Sequence, residues 1–239
     1  MSRIPKTIHL CWFGGGEYPV EVKACIDSWK RLLPDYKIRV WNYEDATLLG
    51  IPYVNEALEQ RKWAFAADVV RFYAIWKEGG VYMDSDIFLY SRFDDVMALD
   101  AEFITFHEKC DPGHKDFGLQ AAMFMGVKDN KFCIEMLDYY RDQHFLNPDG
   151  TVNLMISPER MKDVAQKHGY TSEDREMRLD ILTVLPTRRL KPRKKYPHSS
   201  DCIGEHRVVG SWRKRPLKRR LVKRIEHLWH VFRYFLFKR

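Results

Sequence analysis

"WAFAADVVRFYAIWKEGGVYMDSDIF", residues 63–88, is the stretch whose reading decides the fold. Residues 63–80 are apolar on nearly every turn and end in Gly79-Gly80, the signature of a buried helix with a glycine stop. "VYMD" then reads as a strand, with Asp84 and Asp86 one residue apart at its end before the apolar run resumes. Buried carboxylates are costly unless they are paired or hydrogen-bonded. In a strand alternate residues share a face, so Asp84 and Asp86 point one way and Ser85 the other. Two carboxylates on one side repel each other unless a cation sits between them. Mg²⁺ and Mn²⁺ take oxygen ligands and bridge to substrate phosphates. Open α/β sheets also bind ligands beyond the carboxyl ends of their strands. The pattern points to a divalent cation held against a diphosphate. A turn-capping role for either aspartate is the alternative that a bare D-x-D leaves open.

Working outward, "KTIHLCWF" (6–13) predicts a first strand, stopped by glycines at 14–16. Residues 20–33 place Val22, Cys25, Ile26, Trp29, Leu32 and Leu33 at steps of three and four, an amphipathic helix ended before Pro34. "KIRVWN" (37–42) is a second strand, and strand, helix and strand at this spacing open a nucleotide-binding α/β fold. A loop containing Pro52 leads to the decisive stretch. Beyond it, residues 102–107, the second half of 119–127, 180–186 and 202–209 read as strands, and 131–143 and 158–169 as helices. The expectation is one α/β domain over residues 1–212 and a separate tail over 213–239.

The bulk numbers agree. A chain of 239 residues, 45% hydrophobic and 14% aromatic, is long enough for one sizeable globular domain. Its formal charge of +7 is uneven, because residues 213–239 alone carry about +10. The body is therefore slightly acidic, which argues against nucleic acid as its partner. Cys11, Cys25, Cys110, Cys133 and Cys202 are odd in number and show no C-x-x-C spacing, so free thiols in a reducing compartment are expected. The apolar run at the N-terminus is too short for a signal peptide, and no long uncharged apolar window spans a membrane. A cytoplasmic protein is expected.

"IPKTIHLCWFGG", "AADVVRFYAIWKEGGVYMDSD" and "EHRVVGSW" together resemble the family-32 glycosyltransferases, the sugar-binding group with a DXD motif. That group includes yeast-type mannosyltransferase relatives and bacterial capsule enzymes, and is distantly similar to the glucosylating domains of clostridial toxins. The resemblance implies a GT-A fold with a Rossmann-like nucleotide-binding sheet. It also implies a nucleotide-sugar donor, most simply a UDP-sugar, with Mn²⁺ or Mg²⁺ and retention of anomeric configuration. It implies that Trp12 stacks on the nucleobase, although a core role explains Trp12 as well. Gly14 and Gly15 would let the backbone approach the nucleotide, or serve a tight turn. Asp68 and Arg71, three apart on one helix face, would contact donor sugar and phosphate, or form a buried ion pair. Asp84 would bind ribose or metal, and Asp86 the metal directly. His206 would complete the metal site, with Glu205 as the substitute if His206 faces away, and Ser211 and Trp212 would close over the diphosphate. Asp68, Arg71 and Asp86 are thus the catalytic candidates, and no catalytic base is named.

In the tail, Leu217, Leu221, Ile225, Leu228, Phe232 and Phe235 form a helical stripe flanked by Lys and Arg. Such a basic amphipathic helix suits an anionic membrane surface. Packing on the domain and RNA binding are the other readings. Membrane attachment would fit a lipid-linked saccharide acceptor and a role in bacterial surface-polysaccharide synthesis at the inner face of the cell membrane. Two rival classes stand beside the transferase. A DxDx(T/V) phosphatase needs Thr or Val where Phe88 stands. A non-catalytic module using the tail alone leaves Asp68, Arg71, Asp84 and Asp86 unexplained.

Overall fold

The computed structural model describes residues 3–109, 118–192, 197–208 and Trp229. Strand β1 (Thr7–Cys11) and helix α1 (Val20–Leu32) are followed by β2 (Lys37–Trp41), which lies parallel to β1 with Thr7 opposite Lys37 and Cys11 opposite Trp41. The steps of three and four that predict α1 do bury Val22, Cys25, Ile26 and Trp29. Next come α2 (Tyr43–Thr47) and α3 (Pro52–Glu59), where the sequence suggests a loop. Their signals are local. Asn42 and Asp45 form a reciprocal capping box at the start of α2, and Pro52 occupies the first turn of α3, where its missing N–H costs nothing.

Helix α4 (Trp63–Glu78) ends at Gly79 with φ 66°, and β3 (Gly80–Met83) starts at once, parallel to β1. Gly80 is required there: its φ is 116°, and a Cβ would come within 2.5 Å of the Thr7 carbonyl oxygen. His9 braces the same junction. Its Nε2–H donates to the Gly79 carbonyl at 2.8 Å, and its Nδ1 accepts from Trp41 Nε1–H at 3.1 Å.

The remainder comprises β4 (Ile87–Leu89), α5 (Asp94–Met97), β5 (Phe103–Glu108), β6 (Gly118–Leu119), β7 (Met123–Gly126), α6 (Lys131–Arg141), α7 (Ser157–Lys167), β8 (Met177–Arg178), β9 (Thr183–Leu185), β10 (Leu190–Lys191) and β11 (Gly204–His206). The main sheet runs β2-β1-β3-β7-β5-β9-β8, with β6 paired to β5, and a small sheet runs β10-β11-β4. The Rossmann-like parallel arrangement is confined to β2-β1-β3. Strand β7 enters antiparallel to both β3 and β5, and β9 then lies parallel to β5. Strands β1, β3, β5 and β9 therefore all end at one edge of the sheet.

Each face of the sheet carries its own core. On the α4 side Phe72 stacks on Phe124 at 5.0 Å and Phe103 on Phe132 at 4.4 Å. On the α1 side Val81, Met83, Ile104, Phe106, Met123 and Met125 pack with Trp29 and with Ile87 and Leu89 of β4. Trp29 is fully buried and donates its indole N–H to the Ile87 carbonyl at 2.8 Å, fixing β4 against α1. The small sheet thus lies on the α1 side of the main sheet. Among the described residues no helix is long and apolar enough to cross a membrane, and Cys11, Cys25, Cys133 and Cys202 are free thiols.

Candidate active site

Strand β3 stops at Met83, and the N–H of Asp84 donates to the Ala122 carbonyl at 2.7 Å. Residues 84–86 then turn, closed by Ile87 N–H to the Asp84 carbonyl at 3.0 Å. The strand alternation that predicts a shared face for Asp84 and Asp86 therefore does not operate; the turn brings the carboxylates together instead.

His206 arrives from a distant part of the chain. Strand β11 pairs antiparallel with β4, setting His206 opposite Ile87, and Arg207 N–H donates to the Asp86 carbonyl at 3.0 Å. His206 Nε2 lies 3.3 Å from Asp86 Oδ1. One ligand atom from each of Asp84, Asp86 and His206 falls within 4.8 Å of the others. Burial opposes charge on His206, but the Asp86 carboxylate outweighs it and pushes the imidazole up to about 9. Two carboxylates and one imidazole suit Mn²⁺ or Mg²⁺, and among the described residues the buried His206 Nδ1 has no hydrogen-bond partner. The donor set fits a divalent cation. Glu205, the alternative ligand from sequence, is turned by alternation to the opposite face of β11, where it is buried against Lys191 Nζ at 3.7 Å and Arg207 Nε at 3.1 Å.

Behind the turn, Asp68 and Arg71 form a buried pair on α4, with Arg71 Nη2 2.8 Å from Asp68 Oδ1 and 3.7 Å from Asp84 Oδ1. Arg71 Nε donates to the Ala67 carbonyl at 2.9 Å and Nη1 to the Ala121 carbonyl at 2.8 Å. Tyr82 donates its hydroxyl to Asp84 Oδ1 at 2.6 Å. Asp68 also accepts from Ser157 Oγ at 2.8 Å and from Ser157 N–H at 3.2 Å, which ties the start of α7 to α4. Burial raises the pKa of both Asp68 and Asp84, and Arg71 is the largest opposing influence on each. Burial also opposes the charge on Arg71, but Asp84, with Tyr82 and Asp68, holds its pKa above the ordinary value.

Trp12 and Gly14 extend the end of β1. Trp12 N–H donates to the Trp41 carbonyl at 2.9 Å. Its half-buried indole packs edge-on against Tyr18 at 4.8 Å, and its Nε1 has no partner among the described residues. Gly14 lies against Trp63, whose Nε1 would be 3.3 Å from a Cβ there. Phe13, Gly14, Tyr43, Leu58, Glu59, Arg61 and Trp63 line a cleft of about 630 Å³. Sequence reasoning missed Phe13, Tyr43 and Trp63; the available signal was an aromatic at the start of α4 facing a run of glycines. Ser211 and Trp212 lie outside the described residues.

Residues 19–103 match the family model described as the glycosyltransferase sugar-binding region containing a DXD motif. Among solved structures, the PaToxG glycosyltransferase is similar at 18% identity and a TM-score of 0.52, over 69% of this chain and 68% of that one. A glycosyltransferase involved in glycosylation of the major capsid of PBCV-1 aligns at 15% identity and a TM-score of 0.48, over 85% and 95% of the two chains. The glycosyltransferase GlyE of Streptococcus pneumoniae TIGR4 aligns at 14% identity and a TM-score of 0.47, over 79% of this chain and 47% of that one. No curated protein sequence matches the chain. The PaToxG likeness bears on fold and the matched motif region on chemistry: the chain carries the sugar-binding region of the DXD glycosyltransferases and is a glycosyltransferase of the GT-A fold.

Proposed function

We propose that this enzyme moves a sugar from a nucleotide-sugar donor, a UDP-sugar, to a saccharide acceptor with retention of anomeric configuration. Asp84, Asp86 and His206 would hold Mn²⁺ or Mg²⁺. The observation that carries this reading is the convergence of those ligand atoms within 4.8 Å, at the edge where the parallel strands end. When bound there, the cation neutralises charge developing on the departing diphosphate. Asp86 would ligate the cation, and Asp84 would contact the cation or the donor ribose. Arg71 orients Asp84 and adds fixed positive charge near the leaving group. Asp68 holds Arg71 in place.

The cleft beside Gly14 supports placement of the nucleobase at the end of β1. Its aromatic lining of Phe13, Tyr43 and Trp63 suits a base. Uridine preference and retention rest on the family resemblance. The aromatic, basic sequence of residues 213–239 supports a membrane-bound, lipid-linked acceptor, as in bacterial surface-polysaccharide assembly.

Calorimetric titration with UDP and GDP, first with Mn²⁺ and then with chelator, tests the core of the reading. Wild type is expected to bind one nucleotide in a metal-dependent way, and Asp86→Ala to lose that binding while keeping its circular dichroism spectrum. Well-folded wild type that binds neither nucleotide would overturn it.

A further inference from the structure

Beyond the carboxyl end of β9 lies a second cavity, of about 280 Å³, which the metal and nucleobase sites leave unused. Leu185, the last residue of β9, and Pro186 line it together with Arg175, Arg188 and Arg189. Strand β9 ends at the same sheet edge as β3, three strands away in the order β3-β7-β5-β9. Neighbouring strands lie about 4.8 Å apart, which sets the end of β9 about 14 Å from the end of β3. The small sheet gives a similar span. Ile203 N–H donates to the Arg189 carbonyl at 2.8 Å, and His206 follows on the same extended segment, about 10 Å further along. A short saccharide has this length.

The arginines stand on fixed backbone. Arg188 and Arg189 belong to the short 3-10 turn Thr187–Arg189. Thr187 is fully buried, its N–H donates to Asp174 Oδ1 at 2.7 Å, and its Oγ1 accepts from Lys109 N–H at 3.3 Å. Asp174 and Glu176 also line the cavity, but both carboxylates are engaged, Asp174 by Thr187 and Glu176 by Arg178 Nε at 2.8 Å. Arg175 uses Nε on Glu173 and Arg188 uses Nη1 on Asp201. These two side chains are 62% and 56% exposed, and exposed ion pairs contribute little, so a better anion displaces them readily. Arg189 is mostly buried. Its Nη2 reaches Asp95, while its buried Nε has no hydrogen-bond partner among the described residues, Asp201 Oδ2 lying 3.9 Å away. A guanidinium has five N–H donors in a fork that matches phosphate oxygens, and three of them line one cavity here. The surrounding sequence is itself basic: residues 187–195 hold six Lys or Arg and no acidic residue, and such an excess of one sign draws anions.

We propose that this cavity is a phosphate-binding subsite, separate from the donor diphosphate site, in which Arg175, Arg188 and Arg189 hold a phosphate ester. The ester belongs to the saccharide acceptor or to an anionic lipid headgroup beside it. For that source the proposal rests on the transferase reading above; for the phosphate itself it rests on the cavity alone.

The test uses the full chain with Mg²⁺ and saturating UDP, so that the donor site is filled, and follows phosphorus NMR line broadening of inorganic phosphate and of glucose 1-phosphate. Both are expected to bind and to compete with each other. Arg175→Gln combined with Arg188→Gln removes two exposed cations and should weaken both probes at least about tenfold, through lost charge-assisted hydrogen bonds. UDP affinity should stay within about twofold of wild type. Arg175→Lys combined with Arg188→Lys keeps the charge without the fork and should restore only part of the binding. Tighter binding of glucose 1-phosphate than of inorganic phosphate supports the proposal with a sugar phosphate as the source. Poorer co-sedimentation of the Lys variant than of wild type with phosphatidylglycerol vesicles, at unchanged charge, supports it with a lipid headgroup. Wild type that binds UDP but neither phosphate probe overturns the proposal, as does phosphate binding that is equal in wild type and the Gln variant. Repeating the titration without UDP separates the two readings. Failure to bind UDP at all would sink the donor reading, while phosphate binding lost in the Gln variant would still establish the subsite.

Discussion

Arg71 shows how much one side chain can settle. Each of its guanidinium nitrogens is engaged: Nε by Ala67, Nη1 by Ala121, and Nη2 by Asp68 with Asp84 just beyond. It therefore works chiefly by fixing Asp84 and by its charge. Its removal leaves two carboxylates facing each other in a buried setting. Arg71→Leu is expected to lower stability by about 3–5 kcal/mol, the usual cost of breaking a buried ion pair. Urea unfolding reads that loss, and metal-dependent nucleotide binding should disappear with it. Arg71→Lys keeps the charge but not the fork, so it should lose less stability while still weakening nucleotide binding. The D-x-x-R spacing on one helix face was legible in the sequence. Ser157, which completes Asp68 from 89 residues away, was not, because nothing local to "ISPERM" distinguishes it from an ordinary helix start.

Elements meet through a few polar joints, and His9 is one of them, linking β1, β2 and the α4–β3 junction. Its Nδ1 must stay unprotonated to accept from Trp41, and burial holds its pKa below the ordinary 6.5. Below about pH 6.5 the unfolded chain takes up a proton that folded His9 refuses. This contribution to stability is therefore complete above that pH and is lost as the pH falls toward the folded pKa, at up to about 1.4 kcal/mol per pH unit. Urea midpoints at about pH 7.5, 6 and 5 should show this slope in wild type and a shallower one in His9→Gln. A second joint sets β11. The antiparallel register sets His206 opposite Ile87, which brings its ring to 3.3 Å from the Asp86 carboxylate. Glu205 lies on the opposite face, buried between Lys191 and Arg207. The family resemblance offered two candidates, and only strand pairing chose between them.

At the scale of the whole molecule, charge divides the chain into a slightly acidic body and a strongly basic tail. Of residues 213–239 only Trp229 lies within the described residues; it is helical and 60% exposed. Each Lys or Arg near an anionic bilayer contributes about 1 kcal/mol of attraction, and the aromatic stripe adds apolar insertion. The full chain is therefore expected to co-sediment with phosphatidylglycerol-containing vesicles. It should not do so with pure phosphatidylcholine vesicles, and binding should weaken at high salt as the charges are screened. Equal recovery with both vesicle types, or with neither, would remove the membrane reading of the tail.

By itself the sequence determined the opening β–α–β unit, the buried helix with its glycine stop, and a pair of aspartates where a strand ends. These are written in short-range periodicity and in residues with special backbone geometry, which local physics interprets without help. Tertiary structure alone decided the rest. It inserted β7 antiparallel between β3 and β5, and it formed a turn where strand alternation had been expected at Asp84–Asp86. It also selected His206 over Glu205 and drew Ser157 to Asp68. Each of those depends on pairing between segments far apart in the chain, and a side-chain pattern records which residues are buried but not what lies opposite them.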